Sequence, residues 1–151
     1  MVGFYNLLDN LKTELKNSPF VNTVTYGDIS DVDLNKKTIF PLSHFIVNSC
    51  AYNGSVVDMS ISLLCMDIVD ESKLDVTDVF IGNTNEQDIF NTQMNVIIRL
   101  LDVLNRGNLR EQNYQLNGQP NIEAFTDRFD NKLAGWTCSF NVSIINDVGI
   151  C

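Results

Sequence analysis

The sequence predicts a single α+β domain over residues 1–151, with two helices on a mostly antiparallel sheet that carries a long β-hairpin, in the order α-β-β-β-α-β-β. Three observations carry that expectation. Two segments repeat apolar residues at the three- and four-residue steps of a helix. Two long strand-like segments flank Asn53-Gly54, a pair that tolerates the positive φ of a two-residue hairpin turn. The segment Trp136 to Ile145 alternates apolar and polar side chains without a break.

The first helix is expected from Gly3 to Lys16. Phe4, Leu7, Leu8, Leu11 and Leu15 form one stripe, and Asn17-Ser18-Pro19 ends it. Phe20 to Tyr26 reads as a short strand and Asp28 to Lys37 as a polar loop. A long strand follows from about Thr38 to Tyr52. Its Pro41 lacks an N–H and should face an edge or a bulge. The return strand runs from Ser55 to about Val69, with Tyr52 opposite Ser55. Val57, Met59, Ile61, Leu63 and Cys65 share one face. Near Leu63–Met66 both faces are apolar, so the sheet should be covered on both sides there.

A second helix spans about Asn85 to Arg106, with Glu86 and Asp88 in its first turn and Arg106 in its last, the placements that suit the helix dipole. Gly107 is expected to end it in a left-handed conformation. Its apolar surface is wider than one packing face needs, with Phe90, Met94, Ile97, Leu101 and Leu104 expected against the sheet. Asn108 to Asn121 reads as a polar connector with a possible turn at Asn117-Gly118. Ile122 to Phe129 and Trp136 to Ile145 form a closing hairpin around Asp130-Asn131. Trp136, beside Gly135, should be mostly buried, with its indole N–H satisfied.

Charge narrows the classes of function. The chain has 19 acidic and 10 basic residues, a net charge of −9. Residues 55–90 hold eight acids against Lys73 alone, so that block carries −7. A field of that sign repels nucleic-acid phosphates. The segment from Met1 to Lys16 lacks the basic start and apolar run of a secretion signal, and no stretch reaches the roughly 18 apolar residues of a membrane span. Cys50, Cys65, Cys138 and Cys151 have no close spacing and are expected as free thiols.

Catalytic patterns are missing. His44 is the single histidine and sits mid-strand among apolar residues, where a packed or surface strand residue is expected, not a catalytic one. Asp31, Asp33 and Asn35 begin a calcium-loop spacing, but Lys36 stands where a glycine must turn the loop and Leu42 where the bidentate glutamate belongs. No cysteine–histidine cluster suits zinc, and no glycine-rich phosphate loop occurs. The expectation is a non-enzymatic protein without cofactor or metal.

Several stretches resemble the tail terminator or tail-completion proteins of tailed bacteriophages. They are Thr38-Ile39-Phe40-Pro41-Leu42 opening a long strand, the acidic exit Met66-Asp67-Ile68-Val69-Asp70, the helix Asp88 to Leu104, and Glu123 to Asn131 followed by Lys132-Leu133-Ala134-Gly135-Trp136. The resemblance covers nearly the whole chain and implies a structural role. Such a protein forms a homo-oligomeric ring, at a six- or twelvefold position, that caps the tail or joins it to the head. It would be made in the host bacterial cytoplasm and end in the virion, touching other neck or tail proteins, with DNA passing through without specific binding. The alternatives are another neck, tube or baseplate protein and, less favoured, a small-ligand-binding domain. Candidate oligomer or channel contacts are Asp67, Asp70, Glu71, Asp75 and Asp78 in the acidic segment, with Pro41, Arg99 and Arg128.

Overall fold

The computed structural model describes residues 2–69, 85–128 and 132–148. They form an α+β fold with a five-stranded sheet, as the sequence predicts. Helix α1 spans Val2–Lys16 and α2 spans Glu86–Arg106. A single further turn, α3, spans Asn108–Glu111. The strands are β1 (Thr23–Tyr26), β2 (Leu42–Asn53), β3 (Val56–Ile68), β4 (Gln115–Arg128) and β5 (Leu133–Ile145). Their spatial order is β1-β2-β3-β5-β4, antiparallel except for the parallel β1–β2 pair.

Both helices lie on one face of the sheet, because both present one leucine-rich stripe. Leu7, Leu11 and Leu15 of α1 and Val96, Ile97, Leu100 and Leu104 of α2 are buried against Met59, Ile61, Leu63, Cys138, Phe140, Val142 and Ile144. The alternation expected for β3 and β5 is thus the helix-facing side of the sheet. Leu101, expected at the centre of this contact, is half-buried at its margin; Ile97, Leu100 and Leu104 hold the centre instead. The stripe is rotated by about one residue from the expected one.

The opposite face divides in two. Its lower half carries a second core of Phe40, Leu42, Met66, Phe125 and Leu133, roofed by Ile29, Val32, Leu34 and Ile39. The apolar stretch at Leu63–Met66 is therefore covered on both sides, as expected. The cover is the segment read as a polar loop, which makes two 3₁₀ turns, Ile29–Asp31 and Lys37–Ile39. Its apolar residues point inward while Asp28 caps the first turn through the Ser30 N–H at 2.9 Å.

Four local expectations change. Tyr52 pairs with Val57 and Asn53 with Val56, so the turn residues are Gly54-Ser55, not Asn53-Gly54. Gly54 takes φ +64° at the first central position, where a glycine is favoured. The two-residue shift preserves which side chains of Ser49–Asn53 face the helices, whereas the extra residue at Asn48 turns the rest of β2 over, so that Phe45 and Val47 face them. Gly107 has φ −112° and is extended, not left-handed. Its role is space: a Cβ there would lie 2.9 Å from the Val103 Cα. The left-handed position is Asn113, φ +67°, after α3. The connector read over Asn108–Asn121 is half strand, since β4 begins at Gln115. Asn117-Gly118 is an irregularity inside β4, where pairing with β5 breaks between Asn117 and Asn121. The turn expected at Asp130-Asn131 lies outside the described residues.

Gly135 and Trp136 fix the closing hairpin to the sheet. Gly135 sits opposite Met66, where an added Cβ would fall 1.9 Å from the Cys65 carbonyl oxygen. The strands approach so closely that only glycine fits. Trp136 is half-buried. Its indole N–H donates to the Phe90 carbonyl at 2.9 Å, and its ring meets Phe90 edge-on at 5.5 Å.

Candidate assembly surface

The long hairpin is only partly clothed. Strand β1 pairs with Leu42–Phe45 of β2, and Gly27 N–H adds one bond to the Phe45 carbonyl. Beyond that point no strand lies beside the outer edge of β2 among the described residues, from Ile46 to Asn53. The residues of this free edge are Ile46-Val47-Asn48-Ser49-Cys50-Ala51-Tyr52-Asn53, with no charge and no proline. Asn48 forms a bulge and its amide donates to the Ser62 hydroxyl at 2.7 Å. From Ser49 to Asn53 the strand is regular against β3 and exposed.

Exposed apolar side chains gather at the same end of the molecule. Tyr52 is 77% exposed, and Ile145, at the end of the row through Val56, is 57% exposed. The start of α1 reaches this end because its free N–H groups need an acceptor and its own first turn has no acid. Asp147, just past β5, supplies it: the Gly3 N–H donates to its carboxylate at 2.7 Å. That contact holds Gly3 against Ile144 and the Ile145 carbonyl; Val2 and Tyr5 of the same turn are mostly exposed.

The remaining outer face is flat and polar, with Ser49, Ser60, Ser62, Ser139 and Asn141 side by side. On β2, β3 and β5 its acid among the described residues is Asp58, with Glu123 further out on β4. Asp58 accepts from the Asn117 amide at 3.1 Å and from the Ser143 hydroxyl, so its charge is held within the sheet.

The sequence-predicted contact residues do not come together. Pro41 precedes β2 and does not blunt its edge. That edge is occupied by β1 at Leu42, and the Pro41 carbonyl accepts from the Asn22 and Thr23 N–H groups. Arg99 is an internal fastener: it donates to the Glu14 carbonyl at 2.6 Å and pairs with its carboxylate at 3.2 Å. A cation there satisfies one of the last carbonyls of α1 and its dipole. Asp67 is half-buried at the foot of β3 and accepts from the Ile68 N–H at 2.8 Å. Burial pushes its carboxyl above the usual aspartate range, partly offset by that bond. Arg128 ends β4, opposite Leu133. Asp70, Glu71, Asp75 and Asp78 lie outside the described residues. The length of the hairpin alone implies an exposed edge that a neighbouring copy could cover; its place, Ile46–Asn53 of β2, follows from where β1 stops.

His44 is enclosed and structurally engaged. Gly27 carbonyl can only accept, so the ring donates to it from Nε2 at 2.8 Å and Nδ1 takes the Thr25 hydroxyl at 2.7 Å. Burial lowers its pKa below the usual 6.5, opposed by the Gly27 bond and by Asp28. On the helix-facing side, α2 leaves a surface hollow of about 440 Å³ along Ile98, Arg99, Asp102, Val103 and Arg106. The described residues contain no group of three or more metal-ligating side chains. No helix among them is long and apolar enough to cross a membrane. The chain matches no protein-family model and no curated protein sequence.

Proposed function

We propose that this chain is a non-catalytic structural protein of a tailed-phage virion, a tail terminator or head–tail connector that works as a homo-oligomeric ring. The observation that carries the reading is the free β2 edge together with the exposed apolar hairpin end. A strand edge without charge, proline or cover is a template for pairing, and proteins that stay single usually guard it. Exposed apolar side chains on both faces of the hairpin end, Tyr52 on one and Ile145 on the other, add surface that a partner can cover. A head-to-tail contact between such ends closes into a ring when its rotation divides the circle.

The acid-rich block of residues 55–90 has a role in that arrangement. Repeated around a ring, Asp67 to Asp78 gives a concentrated negative surface. Lining a channel, it keeps passing DNA from adhering within a Debye length of about 8–10 Å. The test is charge reversal at Asp70, Glu71 and Asp75 in the intact phage. The expected result is a normally folded chain with impaired assembly or DNA passage; unchanged infectivity would remove the electrostatic part. Another neck, tube or baseplate position uses the same surface, and imaging the parent particle separates these positions.

A further inference from the structure

We propose that the free edge of β2 pairs with the same edge of a second copy, antiparallel across a twofold axis centred on Cys50 or Ala51. This rests on reading that edge as an assembly surface, and adds its partner and symmetry. The sheet is open along the four-residue β1, along β2 beyond it and along β4, and the two long stretches are not alike. Along β4, Gly118 at φ +65°, Pro120 and Glu123 interrupt or charge the strand, and its pairing with β5 skips from Asn117 to Asn121. Those are the devices that keep an edge from adding a strand. Over Ser49–Asn53, β2 has none of them, so β4 is a poor mate and β2 a good one.

Charge selects the partner. Two copies at −9 each repel wherever acids face each other, and they approach at least cost where there are none. The free edge is such a place. The neighbouring acid, Asp58, stands opposite Ala51 on β3, and its carboxylate is tied to Asn117 and Ser143 across the sheet. An axis perpendicular to the sheet keeps like faces together. Cys50 and Tyr52 of both copies then lie on the helix side, and Ser49, Ala51 and Asn53 on the other. Tyr26, 52% exposed and ring-packed on Phe45, lies further along that helix-side rim. The pair uses the β2 edge of both copies, so a second contact joins one pair to the next, and three or six pairs close with dihedral symmetry.

Cys50 is a native probe of this contact. It is exposed, whereas Cys65 and Cys138 are buried with thiols pushed up to about 12 and about 11. After Cys151→Ser, a short bis-maleimide therefore reads Cys50. In either register the two Cys50 side chains lie opposite or one diagonal apart, about 7–8 Å at most. The expected result is a cross-linked dimer of the full chain. Its yield falls about tenfold in Ala51→Lys, which sets like charges together while circular dichroism stays unchanged. Amide exchange over residues 46–53 slows as concentration rises. If exchange slows but Cys50 does not cross-link, or if Ala51→Lys leaves the yield unchanged, the twofold partner is overturned and the assembly surface stands. If neither exchange nor mass depends on concentration, both are overturned.

Discussion

Replacing Gly135 with alanine should destabilise the fold by about 3 kcal/mol. A new Cβ would sit 1.9 Å from the Cys65 carbonyl oxygen and 2.9 Å from both the Cys65 carbonyl carbon and the Met66 Cα. All three are backbone atoms of the adjacent strand β3, so no side chain can swing away. Relief requires β3 and β5 to part by roughly 1 Å where Met66 faces Gly135, three pairs from the end of a thirteen-pair ladder. Overpacking of this kind costs about 1–3 kcal/mol, and weakening one or two ladder bonds adds about 1 kcal/mol each. The sign is diagnostic. At an unstrained site, glycine to alanine stabilises by about 0.4–1 kcal/mol through the unfolded chain. Urea titration followed by Trp136 fluorescence gives the difference from the midpoint at constant slope. A loss below about 0.5 kcal/mol, or any gain, would refute the close-approach argument.

Other perturbations probe separate contacts. Leu104→Ala, fully buried, should cost about 2–5 kcal/mol and Leu101→Ala, half-buried, clearly less; equal losses by chemical denaturation would contradict the orientation of α2. Asp147→Ala should cost about 0.5–2 kcal/mol by removing the acceptor at the start of α1, and thermal melts of Asp147→Asn, which retains an acceptor, should show a smaller loss. Trp136→Phe keeps the ring contact with Phe90 but loses the N–H bond to its carbonyl, at about 1 kcal/mol by urea titration. His44 has a folded pKa below 6.5, so the unfolded chain binds its proton first. Its contribution to stability is whole above pH 6.5 and declines as the pH falls through that value toward the folded pKa. His44→Asn should flatten that part of the stability profile, and an unchanged slope would contradict a buried neutral ring.

The strand faces and helix stripes were legible because burial imposes them directly. Val57 to Cys65 and Trp136 to Ile144 had to alternate to cover one face, and Leu7, Leu11 and Leu15 had to repeat at helical steps. Turn details were less legible, because Asn53-Gly54 and Gly54-Ser55 both admit a positive φ, and only strand pairing chooses between them. Gly107 shows the same limit: the residue type announces a constraint, but crowding by Val103 and a left-handed backbone leave the same letter. The loop over residues 28–37 was read from its polar majority, yet three apolar residues, Ile29, Val32 and Leu34, decide that it roofs a second core. Arg99 and Pro41 were read as surface features because nothing local reveals Glu14 or β1 beside them. The free edge of β2 depends on where β1 stops, a tertiary fact, although its lack of charge is written in the chain.

The assembly reading is tested most directly by the mass of the particle the purified chain forms. A subunit weighs 17.0 kDa. Native mass spectrometry across a concentration series should show pairs at low concentration and a closed species of six or twelve copies at high concentration. The Ala51→Lys chain should stay at lower mass. A wild-type chain that remains at the mass of one subunit throughout, with the edge of β2 exchanging freely, would contradict the account.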